Sequence, residues 1–317
     1  MMKKILSTAA VIALPGAVAL PGEQAQAPAT YAIRGAKIVP VSGAVIESGN
    51  IVLRNGLIEA VGANAAIPAD AVIIEGKGLT VYPGLIDMGN AAPIEQPRGQ
   101  QQQQGGFFGT PAEPGQSRED QERDKRERIL RANYMATEHL LLEGDALDRI
   151  VSSGITTVLA TPPGNVFHGQ SALVNVVAAP DTPQIGAVAD LRSTLPVFEP
   201  AVALHVDFNP GFGPYPGSLM GAISFVRQSF LDAAWQRQAL AHYEKNPTMA
   251  RPAWDPALRG LLPAIDGEMP VAFSADEARE IGRVLSLAKE LKLKPVITGA
   301  READQMTAEL KAANAPL

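Results

Sequence analysis

Between residues 31 and 81 the apolar positions come in short runs cut by turn signals, not at helical spacing. Ala36-Lys37-Ile38-Val39-Pro40-Val41 and Ile51-Val52-Leu53 read as strands, and Asn55-Gly56 after the second is a hairpin turn pair. Leu57-Ile58-Glu59-Ala60-Val61-Gly62 resumes the strand pattern, and Ala71-Val72-Ile73-Ile74 adds another before Gly76-Lys77-Gly78. These features predict a small all-β unit of about fifty residues, which buries too little area to stand alone. It is expected to pack against something larger.

A different regime begins at Val81-Tyr82-Pro83-Gly84-Leu85-Ile86-Asp87-Met88. Residues 93–117 are rich in Pro, Gly and Gln and read as a mobile insertion. Residues 118–128 mix both charge signs densely, and 129–142 turn apolar on one face. The pattern predicts a solvated helix that docks at its C-terminal end. A short helix over 145–152 leads to the β-branched strand Ile155-Thr156-Thr157-Val158-Leu159-Ala160, and 173–178 and 201–206 are further strand candidates.

The last third alternates more cleanly. A helix is predicted over 219–243, with Leu219, Ile223, Val226, Phe230 and Ala234 along one stripe. The strand Pro270-Val271-Ala272-Phe273 precedes a helix over 276–293, and Pro295-Val296-Ile297-Thr298 precedes one over 302–313. Strands alternating with helices imply βα units and a parallel sheet. A TIM-like barrel is the leading candidate, and pattern alone also allows an open doubly wound sheet. Counting βα units from Asp87, about two strands of an eight-stranded barrel are unaccounted for before Leu317, which is read as a truncated barrel.

The first residues belong to neither unit. Lys3 and Lys4 precede an apolar stretch broken by Pro15-Gly16, and Ala25-Gln26-Ala27 and Ala27-Pro28-Ala29 offer small-x-small cleavage sites. That is the layout of a secretory signal peptide over 1–29, removed to leave a periplasmic or secreted protein. No membrane span is expected after its removal. The chain has no Cys, which excludes disulfides and a cysteine-linked lipid anchor. Among 317 residues 46% are hydrophobic and only 5% aromatic, so a core built from Ala, Val, Leu and Ile is available. A net charge of -6 supplies no basic field for nucleic acid.

The segment from Gly35-Ala36-Lys37-Ile38 through Asn55-Gly56-Leu57-Ile58-Glu59-Ala60-Val61-Gly62 and Gly76-Lys77-Gly78 to Val81-Tyr82-Pro83-Gly84-Leu85-Ile86-Asp87 resembles the opening of an amidohydrolase. The imidazolonepropionase-like branch is the most similar. Gly154-Ile155-Thr156-Thr157-Val158, Pro270-Val271-Ala272-Phe273-Ser274-Ala275 and Val296-Ile297-Thr298-Gly299-Ala300-Arg301-Glu302-Ala303 extend the resemblance. It implies a small, composite β-sandwich-like domain over 30–82, followed by a metal-dependent-hydrolase-type (β/α) barrel over 83–317, incomplete here.

The resemblance also implies a chemistry: one or two divalent metals, zinc or another, activate water for hydrolysis of non-peptide C–N bonds. Imidazoles hold the metal, as a His-x-His pair after the first barrel strand and single His residues after the fifth and sixth. An Asp on the eighth takes the proton. The matched positions here are Gly89, Ala91, Ser274 and Thr298, and the eighth-strand Asp would lie beyond Leu317. Gly and Ala carry no side-chain ligand, and hydroxyls are poor zinc ligands beside imidazole. No cofactor is therefore expected for this chain.

The histidines present are His139, His168, His205 and His242, none in His-x-His or His-Glu-x-x-His spacing. His139 and His242 fall on predicted helices, away from the strand ends where barrel sites form. His205 and Asp207 end a strand candidate, and His168 sits in the loop Pro162-Pro163-Gly164-Asn165-Val166-Phe167-His168-Gly169-Gln170. With Asp87 these are the candidate pocket residues. Ser274-x-x-Glu277 also reads as a capping box.

Three functions remain: a catalytically degenerate amidohydrolase that keeps a small-molecule pocket, a hydrolase with a rebuilt or partner-completed site, and a structural partner of an active paralogue docked through residues 118–131.

Overall fold

The computed structural model describes residues 30–94, 117–141, 144–176, 196–211 and 214–317. The signal-peptide reading of 1–29 and nearly all of the 93–117 insertion lie outside them; Pro93 and Ile94, at its start, are buried. The chain divides into two compact units between Pro83 and Gly84.

The first unit contains β1 (Thr30–Ile38), β2 (Ile46–Arg54), β3 (Leu57–Gly62), β4 (Val72–Glu75) and β5 (Thr80–Val81). They form a five-stranded sheet in the order β3-β2-β1-β4, with β5 also paired to β1. β1, β2 and β3 form an antiparallel meander, and β4 and β5 run parallel to β1. The β2–β3 turn is the expected one: Asn55 and Gly56 both have positive φ, 51° and 76°. That pair of left-handed residues twists the backbone to match the strands it joins. Among the described residues this unit is a single sheet.

The second unit opens with β6 (Leu85–Asn90), α1 (Arg118–Ile129), α2 (Gly144–Ser152) and β7 (Ile155–Ala160). Four short strands follow: β8 (Phe167–Gln170), β9 (Ala172–Asn175), β10 (Val197–Glu199) and β11 (Leu204–Val206). Then come α3 (Leu219–Lys245), α4 (Pro256–Arg259), α5 (Leu262–Ile265), β12 (Val271–Ala275), α6 (Ala278–Leu291), β13 (Pro295–Gly299) and α7 (Thr307–Ala313). The strands make two four-stranded sheets, β10-β9-β7-β6 and β13-β12-β11-β8.

Parallel pairing was expected throughout, and it holds for β6 with β7 and for β11, β12 and β13. Between those runs β8 pairs antiparallel to β11, and β9 antiparallel to both β7 and β10. Only Ser171 separates β8 from β9. Its N–H donates to the Ala203 carbonyl at 2.9 Å and its carbonyl accepts from Val202 N at 2.8 Å, so one stretch of chain links both sheets.

The core follows strand alternation. Leu204, Val206, Val271, Phe273, Ala275 and Ile297 lie in one buried cluster with Phe225, Val226 and Phe230 of α3 and Ile281, Val284 and Leu287 of α6. Each such large side chain contributes roughly 1.5–3 kcal/mol on full burial. Both helices therefore cover one face of this sheet.

The long helix expected after residue 118 stops at Ile129. Leu130 and Ala132 turn into the core, Arg131 N donates to the Phe167 carbonyl at 3.3 Å, and the chain continues as turns with a 3-10 turn at Ala136–His139. His139 is thus not on an α-helix, whereas His242 is, on α3. Of the segment 162–170 read as a loop, 162–166 lie outside any strand or helix, and Phe167–Gln170, with His168, form strand β8. At α6 the N-cap is Glu277, whose side chain reaches the N3 backbone while Glu280 reaches back, so Ser274 lies one turn too early to cap.

Candidate functional site

β11 and the residues after it keep a period of two. Leu204, Val206 and Phe208 enter the core under the helices, which turns His205 and Asp207 to the opposite face. The neighbouring strands extend this face, since Ala272 is the register partner of His205 and Ser274 that of Thr298. Two of the metal-matched positions, Ser274 and Thr298, therefore share a sheet face with two of the candidate pocket residues. Ser274 is exposed, and Thr298 Oγ1 donates to the Phe273 carbonyl at 3.4 Å.

β8 brings in the third. A register irregularity opposite His205 and Val206 sends Phe167 into the core and leaves His168 Nε2 at 3.0 Å from Asp207 Oδ2. The other oxygen, Asp207 Oδ1, accepts from Val166 N at 2.8 Å and from Asn209 N at 2.9 Å. Three contacts thus hold the carboxylate in one orientation. Val166 has φ of 57°, a region β-branched residues avoid, at a cost of order 1–3 kcal/mol. Its buried side chain and the bond to Asp207 hold it there.

Gly164 packs against the same histidine. A Cβ at that position would lie 3.0 Å from His168 Cα and 3.4 Å from Cγ, so the close approach requires the missing side chain.

His205 is the unusual member of the cluster. It is 8% exposed, and its Nε2 is fully buried with no hydrogen-bond partner among the described residues. Burial, reinforced by nearby His168, lowers its pKa from 6.5 to about 4. The imidazole is neutral at pH 7.

Asp87 belongs to β6, in the other sheet. Its Oδ1 accepts from Gly89 N at 3.2 Å and its Oδ2 from Asn90 Nδ2 at 2.9 Å, so it ties down its own strand end. Gly89 closes on nothing nearer than Thr161 Oγ1, 3.8 Å from where a Cβ would sit. Among the described residues no group of three or more His, Asp or Glu side chains is arranged to hold a metal ion.

Sequence reasoning missed an aromatic stack on the segment after α1. The Arg131 guanidinium lies 4.0 Å above the Tyr134 ring, which stacks on His139 at 4.2 Å and 3°. Arg131 Nη1 also donates to the Pro163 carbonyl at 2.9 Å, tying this stack to the loop before His168. The pairing of His168 with Asp207 was equally hidden, since the two are 39 residues apart. Only the alternation around His205 carried a readable signal, that it and Asp207 share a face.

No protein-family model matches the chain. It is 39% identical over 56 residues to a dihydroorotase of Geobacter sulfurreducens, a stretch that is 18% of this chain and 13% of that protein. Among solved structures, a prolidase complexed with n-methylphosphonate-l-proline superimposes with a TM-score of 0.42 at 16% identity, covering 90% of this chain and 65% of that one. The amidohydrolase from Thermotoga maritima MSB8 superimposes with a TM-score of 0.66 at 18% identity, covering 90% of this chain and 68% of that one. Among the described residues the strands do not close into a complete barrel; within that limit, the chain has the fold of an amidohydrolase.

Proposed function

We propose that this chain is an exported member of the amidohydrolase superfamily, of the imidazolonepropionase-like branch, in which metal-dependent hydrolysis has been lost and a small-molecule pocket kept. The observation that carries this reading is the donor set. The resemblance matches the metal ligands to Gly89, Ala91, Ser274 and Thr298. Two have no side-chain donor, and the hydroxyl of Thr298 is turned to the Phe273 carbonyl. The residues do not fit zinc, which takes thiolate, imidazole or carboxylate ligands in tetrahedral sites. His168, His205 and Asp207 do not replace them as a metal group, since the Asp207 carboxylate is already satisfied by two backbone N–H groups and His168.

Export is the second element, supported by the residues 3–29 that resemble a signal peptide. The test is metal analysis of the full-length protein purified after zinc supplementation, with hydrolysis of a panel of acyl and cyclic amides. No stoichiometric zinc and no zinc-stimulated turnover are expected. About one zinc per chain, lost on His168→Ala or His205→Ala, overturns the reading. N-terminal sequencing of the extracytoplasmic protein, expected to begin at Pro28 or Thr30, tests export separately.

A further inference from the structure

We propose that His168 and Asp207 form a metal-independent general-base dyad, which activates water against small acyl compounds such as esters. The inference rests on the metal-free reading above and adds to it an activity of the same face.

The geometry begins with the carboxylate. Asp207 Oδ1 is held by the N–H groups of Val166 and Asn209, which leaves Oδ2 facing His168 Nε2 at 3.0 Å. A carboxylate accepts, so the proton of a neutral His168 ring sits on Nε2, an assignment made from the bonding network. Nδ1 is then the basic nitrogen. It has no hydrogen-bond partner among the described residues, and the His168 side chain keeps 18% of its surface exposed. A base oriented by a fixed carboxylate, with its other ring nitrogen left unpartnered, is the arrangement that acid–base catalysis needs.

Two further observations separate this arrangement from a simple clip between loops. Val166 holds a strained φ of 57° within reach of the dyad, and strain of this kind collects where geometry must be held for use. His205 leaves a buried, unpartnered Nε2 on the same face. A polar atom desolvated without a partner costs about 1–3 kcal/mol and is satisfied when a ligand or its water supplies the missing bond. Because His205 is neutral, it adds no cation beside His168.

In the proposed step a water oxygen bonds to the acyl carbon while His168 Nδ1 takes one of its protons. The bond from that carbon to the leaving oxygen then breaks, releasing the alkoxide or phenolate and a carboxylic acid. The proton on His168 passes to solvent, and no electrons change hands with any further reagent.

The test uses p-nitrophenyl acetate and the full-length protein, with and without chelator, against the His242→Ala variant as a control for surface imidazole. Chelator-resistant hydrolysis above the buffer rate is expected. His168→Ala should lower it on the order of 100-fold, and added imidazole should restore part of the rate. Asp207→Asn offers an amide that donates to Nε2 and moves the ring proton onto Nδ1, so a loss of roughly tenfold or more is expected. Asp207→Glu should recover part of it, a rescue that a purely structural aspartate would not produce in the rate alone if both variants melt alike. Hydrolysis that persists in His168→Ala, or that is absent from the unaltered protein, overturns the dyad and leaves the metal-free reading standing. Hydrolysis abolished by chelator and restored by zinc overturns both.

Discussion

A buried imidazole with no partner makes stability depend on pH. His205 has a pKa of about 4 in the folded chain against 6.5 for the free group. Between those values the unfolded state binds a proton that the native state refuses, so stability is complete above pH 6.5 and falls as pH drops toward 4. The loss between pH 7 and pH 5 from this group is on the order of 2 kcal/mol. His205→Leu should flatten the dependence, as read from urea midpoints at the two pH values; an unchanged slope would show that other groups carry it. Gly164 makes a second prediction at this scale. An added methyl 3.0 Å from His168 Cα must push strand or loop aside, so Gly164→Ala should cost about 1–3 kcal/mol. It should also remove the downfield proton resonance of the Nε2–H bonded to Asp207.

At the scale of elements, α6 separates a sequence signature from the cap that forms. Ser274-x-x-Glu277 has the spacing of a capping box, but β12 runs on to Ala275, and Ser274 is spent in the strand. The helix starts at Ala278 behind Glu277, with Glu280 closing the box and Glu302 Oε2 accepting from Ala278 N at 2.9 Å. Glu277→Ala should therefore lower stability by about 1 kcal/mol, and Ser274→Ala by less than about half that. Comparable losses for both in thermal unfolding would return the cap to Ser274. α1 carries the same lesson with the opposite sign. Its charge-rich surface was plain, yet its end at Ile129 was not, because the stop comes from Leu130 and Ala132 entering the core and Arg131 N bonding to β8. Lys125, alone among the charged residues of that helix, is buried, with Nζ donating to the carbonyls of Pro214 at 2.7 Å and Pro216 at 3.2 Å. Nothing local marks it for that contact, which spans about ninety residues.

For the molecule as a whole, the proposed function keeps an amidohydrolase fold without the family's ligand set, which is possible because function resides in the site and not in the scaffold. Gly89→His with Ala91→His tests this. The space at Gly89 accepts a side chain without a close contact, so the double variant is expected to fold. It should bind no stoichiometric zinc and gain no metal-dependent hydrolysis, because Ser274 and Thr298 still supply hydroxyls where imidazoles are needed. Tight zinc binding by that variant would mean that His168 or His205 can complete a site from across the sheets.

The sequence by itself determined what depends on local pattern: the hairpin at Asn55-Gly56, the strands β12 and β13, and the helices α3 and α6. Alternation along β11 is local too, and it puts His205 and Asp207 on one face. Tertiary structure alone decided that β8 is a strand and antiparallel, that Asp207 reaches His168 across 39 residues, and that His205 loses its proton. Those outcomes depend on which strand lies beside which and on how much water is excluded between them. Neither quantity is written in the spacing of any one segment.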